Sequence, residues 1–100
     1  MDNVAAYLRY LTSEKNYSPL TVRAYSKDIE DFTMHCSDAY GLYNLKDVHY
    51  TMLRDYIIAL SKRGLTMRSI NRKCSALKSL YAYFQKIGII EVHPFAQHKA

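Results

Sequence analysis

Gly64-Leu65-Thr66-Met67-Arg68-Ser69-Ile70-Asn71-Arg72-Lys73-Cys74-Ser75-Ala76-Leu77-Lys78-Ser79-Leu80-Tyr81 is the stretch that decides the fold class. Gly64 marks a helix stop, because glycine enters the left-handed C-terminal position at little cost. Thr66 marks the next start, since its hydroxyl can accept from the open N–H groups of a first turn. From there Ile70, Cys74, Leu77, Tyr81 and Phe84 recur at a four-three-four-three spacing, which puts them on one side of an α-helix. The pattern reaches Ile87, and Gly88 closes it.

Upstream of Gly64, the stripe Leu53, Tyr56, Ile57 and Leu60 predicts a helix over residues 50–62. Asp38 to Asp47, with Gly41 and Asn44, holds no sustained period and reads as a loop. Ser18-Pro19 is another start: the serine can cap, and a proline at the first helical position has no N–H to lose. The helix that follows is expected over residues 19–37, with Val22, Ile29, Phe32 and Cys36 inward and Tyr25 at the edge. Arg23, Lys27, Glu30 and Asp31 fall on its other side. Val4, Tyr7, Leu8 and Leu11 predict a first helix over residues 3–15. Beyond Gly88, Ile89, Ile90 and Val92 form a short apolar strap, and His93-Pro94 ends regular structure. Strand-like alternation and internal repeats are lacking. The expectation is an all-α, four-helix fold with Ile29, Phe32, Leu53, Ile57, Ile70, Leu77 and Tyr81 in one core.

A chain of 100 residues is ordinary for one domain. Fourteen Lys and Arg against nine Asp and Glu leave a net charge of +5, which favours a polyanionic partner. Cys36 and Cys74 lie far apart inside apolar stripes, and His35, His49, His93 and His98 are scattered, so neither a zinc site nor a redox pair is indicated and no cofactor is expected. Without an apolar run of roughly 18–20 residues or a signal peptide, a cytoplasmic chain with no membrane partner is expected. Of ten tyrosines, Tyr7, Tyr25, Tyr56 and Tyr81 fit core stripes. A phenolic nucleophile needs an activating base and an array of cations around a phosphate, and nothing in the chain assembles one, so no catalytic residue is expected. Asp28 and Asp31 read as the charge balance of an exposed helix.

On the fourth helix, Arg68, Arg72, Ser75 and Ser79 form a narrow stripe opposite the apolar one. Asn71 and Lys78 flank it, and Lys73 sits nearer the core edge. Between residues 63 and 78 the chain carries Arg63, Arg68, Arg72, Lys73 and Lys78 and not one acid, so this face forgoes the i,i+4 ion pairs of a merely solvated helix. Small hydroxyl residues between cations let a phosphate backbone approach, and Arg and Asn can read base edges. The start of the second helix offers Ser18, Thr21 and Arg23 beside free N–H groups and the positive end of the helix dipole, which suits a phosphate. The candidate DNA contacts are therefore Ser18, Thr21, Arg23, Arg68, Ser69, Asn71, Arg72, Lys73, Ser75 and Lys78.

Asn16-Tyr17-Ser18-Pro19-Leu20-Thr21-Val22-Arg23-Ala24-Tyr25, followed by Asp28-Ile29, resembles the opening of the core-binding domain of tyrosine recombinases. The stretch from Gly64 to Tyr81 continues the resemblance through Asn71-Arg72-Lys73 and Ser75-Ala76-Leu77, and Gly88-Ile89-Ile90 before a proline completes it. The chain is most similar to Xer-type recombinases and simple phage or transposon integrases; larger integrases add an arm-binding domain, and none precedes Asn3. His93-Pro94 departs from the usual Asn-Pro. The resemblance implies a SAM-like orthogonal bundle over residues 1–92 that clamps one side of a double-stranded recombination half-site. Residues 93–100 would begin a linker to a C-terminal catalytic domain absent from this chain, and other recombinase protomers would be partners in the synaptic complex. Two other readings stay open: a helix-turn-helix transcription regulator and a SAM-like protein-interaction module.

Overall fold

In the computed structural model residues 3–97 are described, and they form four α-helices: α1 (Asn3–Ser13), α2 (Pro19–Tyr40), α3 (Tyr50–Lys62) and α4 (Met67–Lys86). Two 3-10 turns, Leu45–Asp47 and Pro94–Gln97, complete the regular structure, and no strand occurs among the described residues. The expected starts of α2 and α4 hold, and each is closed by a side-chain cap. The Ser18 hydroxyl accepts from the Thr21 N–H at 3.2 Å, and the Thr66 hydroxyl accepts from the Ser69 N–H at 3.2 Å.

Two ends fall elsewhere than expected. α1 stops at Ser13, and Asn16 takes a left-handed backbone (φ 55°), a conformation that asparagine tolerates better than most residues. α2 runs one turn past Ser37, to Tyr40. Its stop is Gly41 at φ 64°, whose N–H donates to the Ser37 carbonyl at 3.0 Å while the Leu42 N–H donates to Cys36 at 3.2 Å. The apolar stripe ends at Cys36, but the helix continues until a residue that can turn left-handed. The loop is accordingly short, and it is pinned: Leu45 and Val48 are buried, and the Tyr81 hydroxyl donates to the Leu45 carbonyl at 2.8 Å.

α4 packs against α1, α2 and α3, so the core is built around it. Ile29, Phe32, Leu53, Ile70, Leu77 and Tyr81 are buried there, whereas Ile57 is only half-buried against the cluster. Tyr7, Leu11, Tyr56, Leu60, Leu80 and Phe84 are buried in the same core. The segment where a linker was expected forms the second 3-10 turn, which packs on α3 and buries Phe95. Among the described residues no helix is long and apolar enough to cross a membrane.

Candidate nucleic-acid interface

Where α2 crosses α4, one carboxylate is sunk into the bundle. Asp28 is 2% exposed and is the buried charged residue of the described structure. Its two oxygens accept from Arg72, Nε at 3.1 Å and Nη2 at 2.8 Å, and Lys73 Nζ approaches at 3.3 Å. Lys73 Nζ also lies 3.6 Å from Asp31, which takes a hydrogen bond from the Tyr56 hydroxyl and sits 3.5 Å from Arg63. Burying a carboxylate without such partners would cost several kcal/mol (roughly 2–7 even for an uncharged polar group), so the cations of α4 are what permit it. This overturns the reading of Asp28 and Asp31 as surface charge balance. It also shows that Arg72 and Lys73 do not stand free: Lys73 is turned into α2 with its side chain 12% exposed, while Arg72 remains 55% exposed beyond its carboxylate.

The open face of α4 is rotated from the one expected. Arg68, Asn71, Ser75 and Lys78 are exposed at a three-four-three spacing, and Ala82 continues the row. Ser79 has left the stripe, because the Tyr7 hydroxyl of α1 donates to it at 2.6 Å. Helix α4 is clasped by α2 near its start and by α1 near its end, so the free surface is displaced from the direction opposite the core. Ser69 is half-buried, its hydroxyl accepting from Thr66 at 3.2 Å. Lys78 Nζ lies 5.6 Å from the centre of the Phe95 ring. Arg68, Asn71 and Ser75 have no side-chain partner among the described residues.

At the start of α2, the Ser18 and Thr21 hydroxyls are 3.0 Å apart and no acid stands in the first turn. Arg23 is exposed without a partner among the described residues, whereas Thr21 is half-buried. A groove of about 560 Å³, lined by Leu8, Ile29, Thr33, Tyr43 and Phe84 among others, includes none of these residues. What remains is a surface suited to an extended anion.

Three of the ten phenols, Tyr7, Tyr56 and Tyr81, are committed to the interior, whereas Tyr43 is exposed. Burial pushes the Tyr7 hydroxyl up to about 12, and burial also raises Tyr56, whose acceptor is Asp31, and Tyr81. For Asp31, burial is the largest single influence and acts to raise it. The Tyr56 hydrogen bond and the charges of Lys73 and Arg63 together outweigh burial and hold the carboxyl below its ordinary 3.8. A carboxyl depressed in the folded state adds stability above its unfolded value and loses it as pH falls through the folded one. Denaturant unfolding should therefore find Asp31→Asn less stable than the parent by a constant margin at neutral pH. That margin should shrink as pH falls below 3.8, and a margin indifferent to acid would refute the assignment.

Comparison with known proteins adds a decisive observation. The profile of the family described as phage integrase, N-terminal SAM-like domain, matches residues 4–86. The chain belongs to that family. Tyrosine recombinase XerC of Oceanobacillus iheyensis is 35% identical over 94 residues, covering 94% of this chain and 30% of the relative. The same-named proteins of Lacticaseibacillus casei (35% over 95 residues) and Bacillus subtilis (33% over 92 residues) match 95% and 92% of the chain and 32% and 30% of themselves. This SAM-like domain thus spans about a third of the curated relatives it matches. No solved structure matches it significantly. The four helices expected from the spacing, and the SAM-like family implied by the resemblance, are both found.

Proposed function

We propose that this SAM-like domain binds double-stranded DNA through α4 and the start of α2. In this reading it clamps one side of a recombination half-site while a separate catalytic domain carries out strand exchange. The observation that carries it is the exposed row Arg68, Asn71, Ser75 and Lys78, basic and amide-bearing, acid-free and mostly unengaged by the rest of the fold. Exposed cations give phosphate attraction, and the intervening Asn and Ser keep the helix surface low enough to enter a groove. Ser18, Thr21 and Arg23 would hold a neighbouring phosphate. Arg72 and Ser69 border the row, and Lys73 supports it from within.

The naming of the relatives as tyrosine recombinases extends the proposal. DNA and other recombinase protomers are the partners, and a cytoplasmic location follows from working on DNA in a bacterial-type cell. In this reading the DNA-clamping unit extends to about residue 92, past the end of α4 at Lys86, and the turn around Phe95 leads into a linker. On the same reading the parent protein uses a tyrosine from its other domain; Tyr7, Tyr56 and Tyr81 of this one are hydrogen-bonded inside the bundle.

The test is electrostatic. Arg68→Ala with Lys78→Ala should leave the circular dichroism unchanged and lower the slope of log affinity against log salt by about 2, at roughly 0.9 per phosphate contact. Lys46→Ala with Lys62→Ala removes the same charge elsewhere and should change the slope much less. Equal slopes for the two pairs would reduce the attraction to net charge, and an affinity untouched by Arg68 and Lys78 would abandon this face.

A further inference from the structure

We infer that Asp28 and Arg72 form a single guanine-reading unit, in which the buried carboxylate aims the arginine at a base edge. This rests on the DNA-binding reading above. Five N–H groups project from a guanidinium in a fixed plane. Asp28 takes the side edge, Nε at 3.1 Å and Nη2 at 2.8 Å. The end edge, made of Nη1 and the second Nη2 hydrogen, is left over, and the side chain is 55% exposed. That remaining pair of parallel donors fits two acceptors side by side, as guanine O6 and N7 present them in a major groove.

A phosphate is the lesser match for this group. Arg72 faces a full negative charge at contact distance, so its attraction for another anion is largely spent, while its directional donors persist. Arg68, one turn earlier, and Lys78 have no carboxylate beside them and suit the backbone. The structure divides labour along α4: free cations for phosphate, a pinned cation for sequence. Pinning also removes rotamer freedom before binding, which makes each hydrogen bond to the base less costly. Asp28 is then a positioning residue, acting only through Arg72.

The probe is a duplex enriched by the wild-type chain from a random-sequence library, compared with a scrambled duplex of the same composition. Arg72→Lys keeps the charge and loses the fork. It should cut discrimination between the two duplexes by roughly 5- to 150-fold with little change in the salt slope. Asp28→Asn should also lower discrimination, with a slope equal or steeper because a negative charge is removed. Substituting 7-deazaguanine at the read position, which deletes N7, should weaken wild-type binding and leave the Arg72→Lys protein unaffected; inosine, which retains O6 and N7, should be neutral for both. Circular dichroism checks that each variant is folded. A purely structural Asp28 would lower thermal stability and leave the discrimination of the folded protein unchanged, which would overturn the inference. So would an Arg72→Lys protein that discriminates normally, since Arg72 would then be a phosphate contact, or a library that yields no preferred sequence. Failure to bind any duplex would instead remove the DNA-binding reading itself, and this inference with it.

Discussion

Leu77→Ala is expected to destabilise the bundle by about 2–5 kcal/mol, the range for deleting a buried leucine side chain and leaving a cavity. Leu77 is 1% exposed on the helix that touches all the others, so no solvent-side relaxation can fill the space. A domain of this size holds about 5–15 kcal/mol in total, and the variant would lose a large share of it. Urea unfolding followed by circular dichroism measures the change through the shift in midpoint. A loss below about 1 kcal/mol would mean that the α4 stripe is not the centre of the core.

Asp28→Ala should rank next, at about 2–3 kcal/mol. Removing one member of a fully buried ion pair costs about 3–5 kcal/mol, because the other charge is stranded. The figure here is lower for two structural reasons. The Arg72 side chain is 55% exposed and can turn to water, and Lys73, 12% exposed, keeps Asp31 at 3.6 Å. Lys73 is the group that suffers, so the double variant Asp28→Ala with Lys73→Met should recover part of the loss. Simple additivity of the two single variants would show that no coupling exists across the α2–α4 crossing.

The fold was largely legible because its signals were local. Capping at Ser18 and Thr66, stopping at Gly64 and the period of Ile70, Cys74, Leu77, Tyr81 and Phe84 each act within a few residues. The end of α2 was misplaced because hydrophobic periodicity reports burial, and residues 37–40 extend a helix beyond its buried part until Gly41 turns it.

The candidate interface was legible in composition and less so in geometry. Its acid-free character was visible, but which cations face outward depends on partners far away in sequence. Arg72 is bound 44 residues away, and Ser79 is taken by Tyr7 72 residues away. One sequence signal pointed to the first of these. Asp28 lies four residues before Phe32 and three after Tyr25, on the apolar stripe itself, and a carboxylate there requires a cation from another helix. The paired cations Arg72-Lys73, with no acid on their own helix, were the natural source.

The turn after residue 93 carries a mechanical consequence. His93 Nε2 is 3.1 Å from the carbonyl of Lys78, its Nδ1 accepts from the Phe95 N–H at 3.1 Å, and the Phe95 ring lies beneath the Lys78 ammonium. Residues 93–95 are therefore anchored on the middle of α4. A pull on that turn would be delivered at Lys78, within the row proposed for DNA, so tension on this segment and grip on a duplex would act on the same turn of helix.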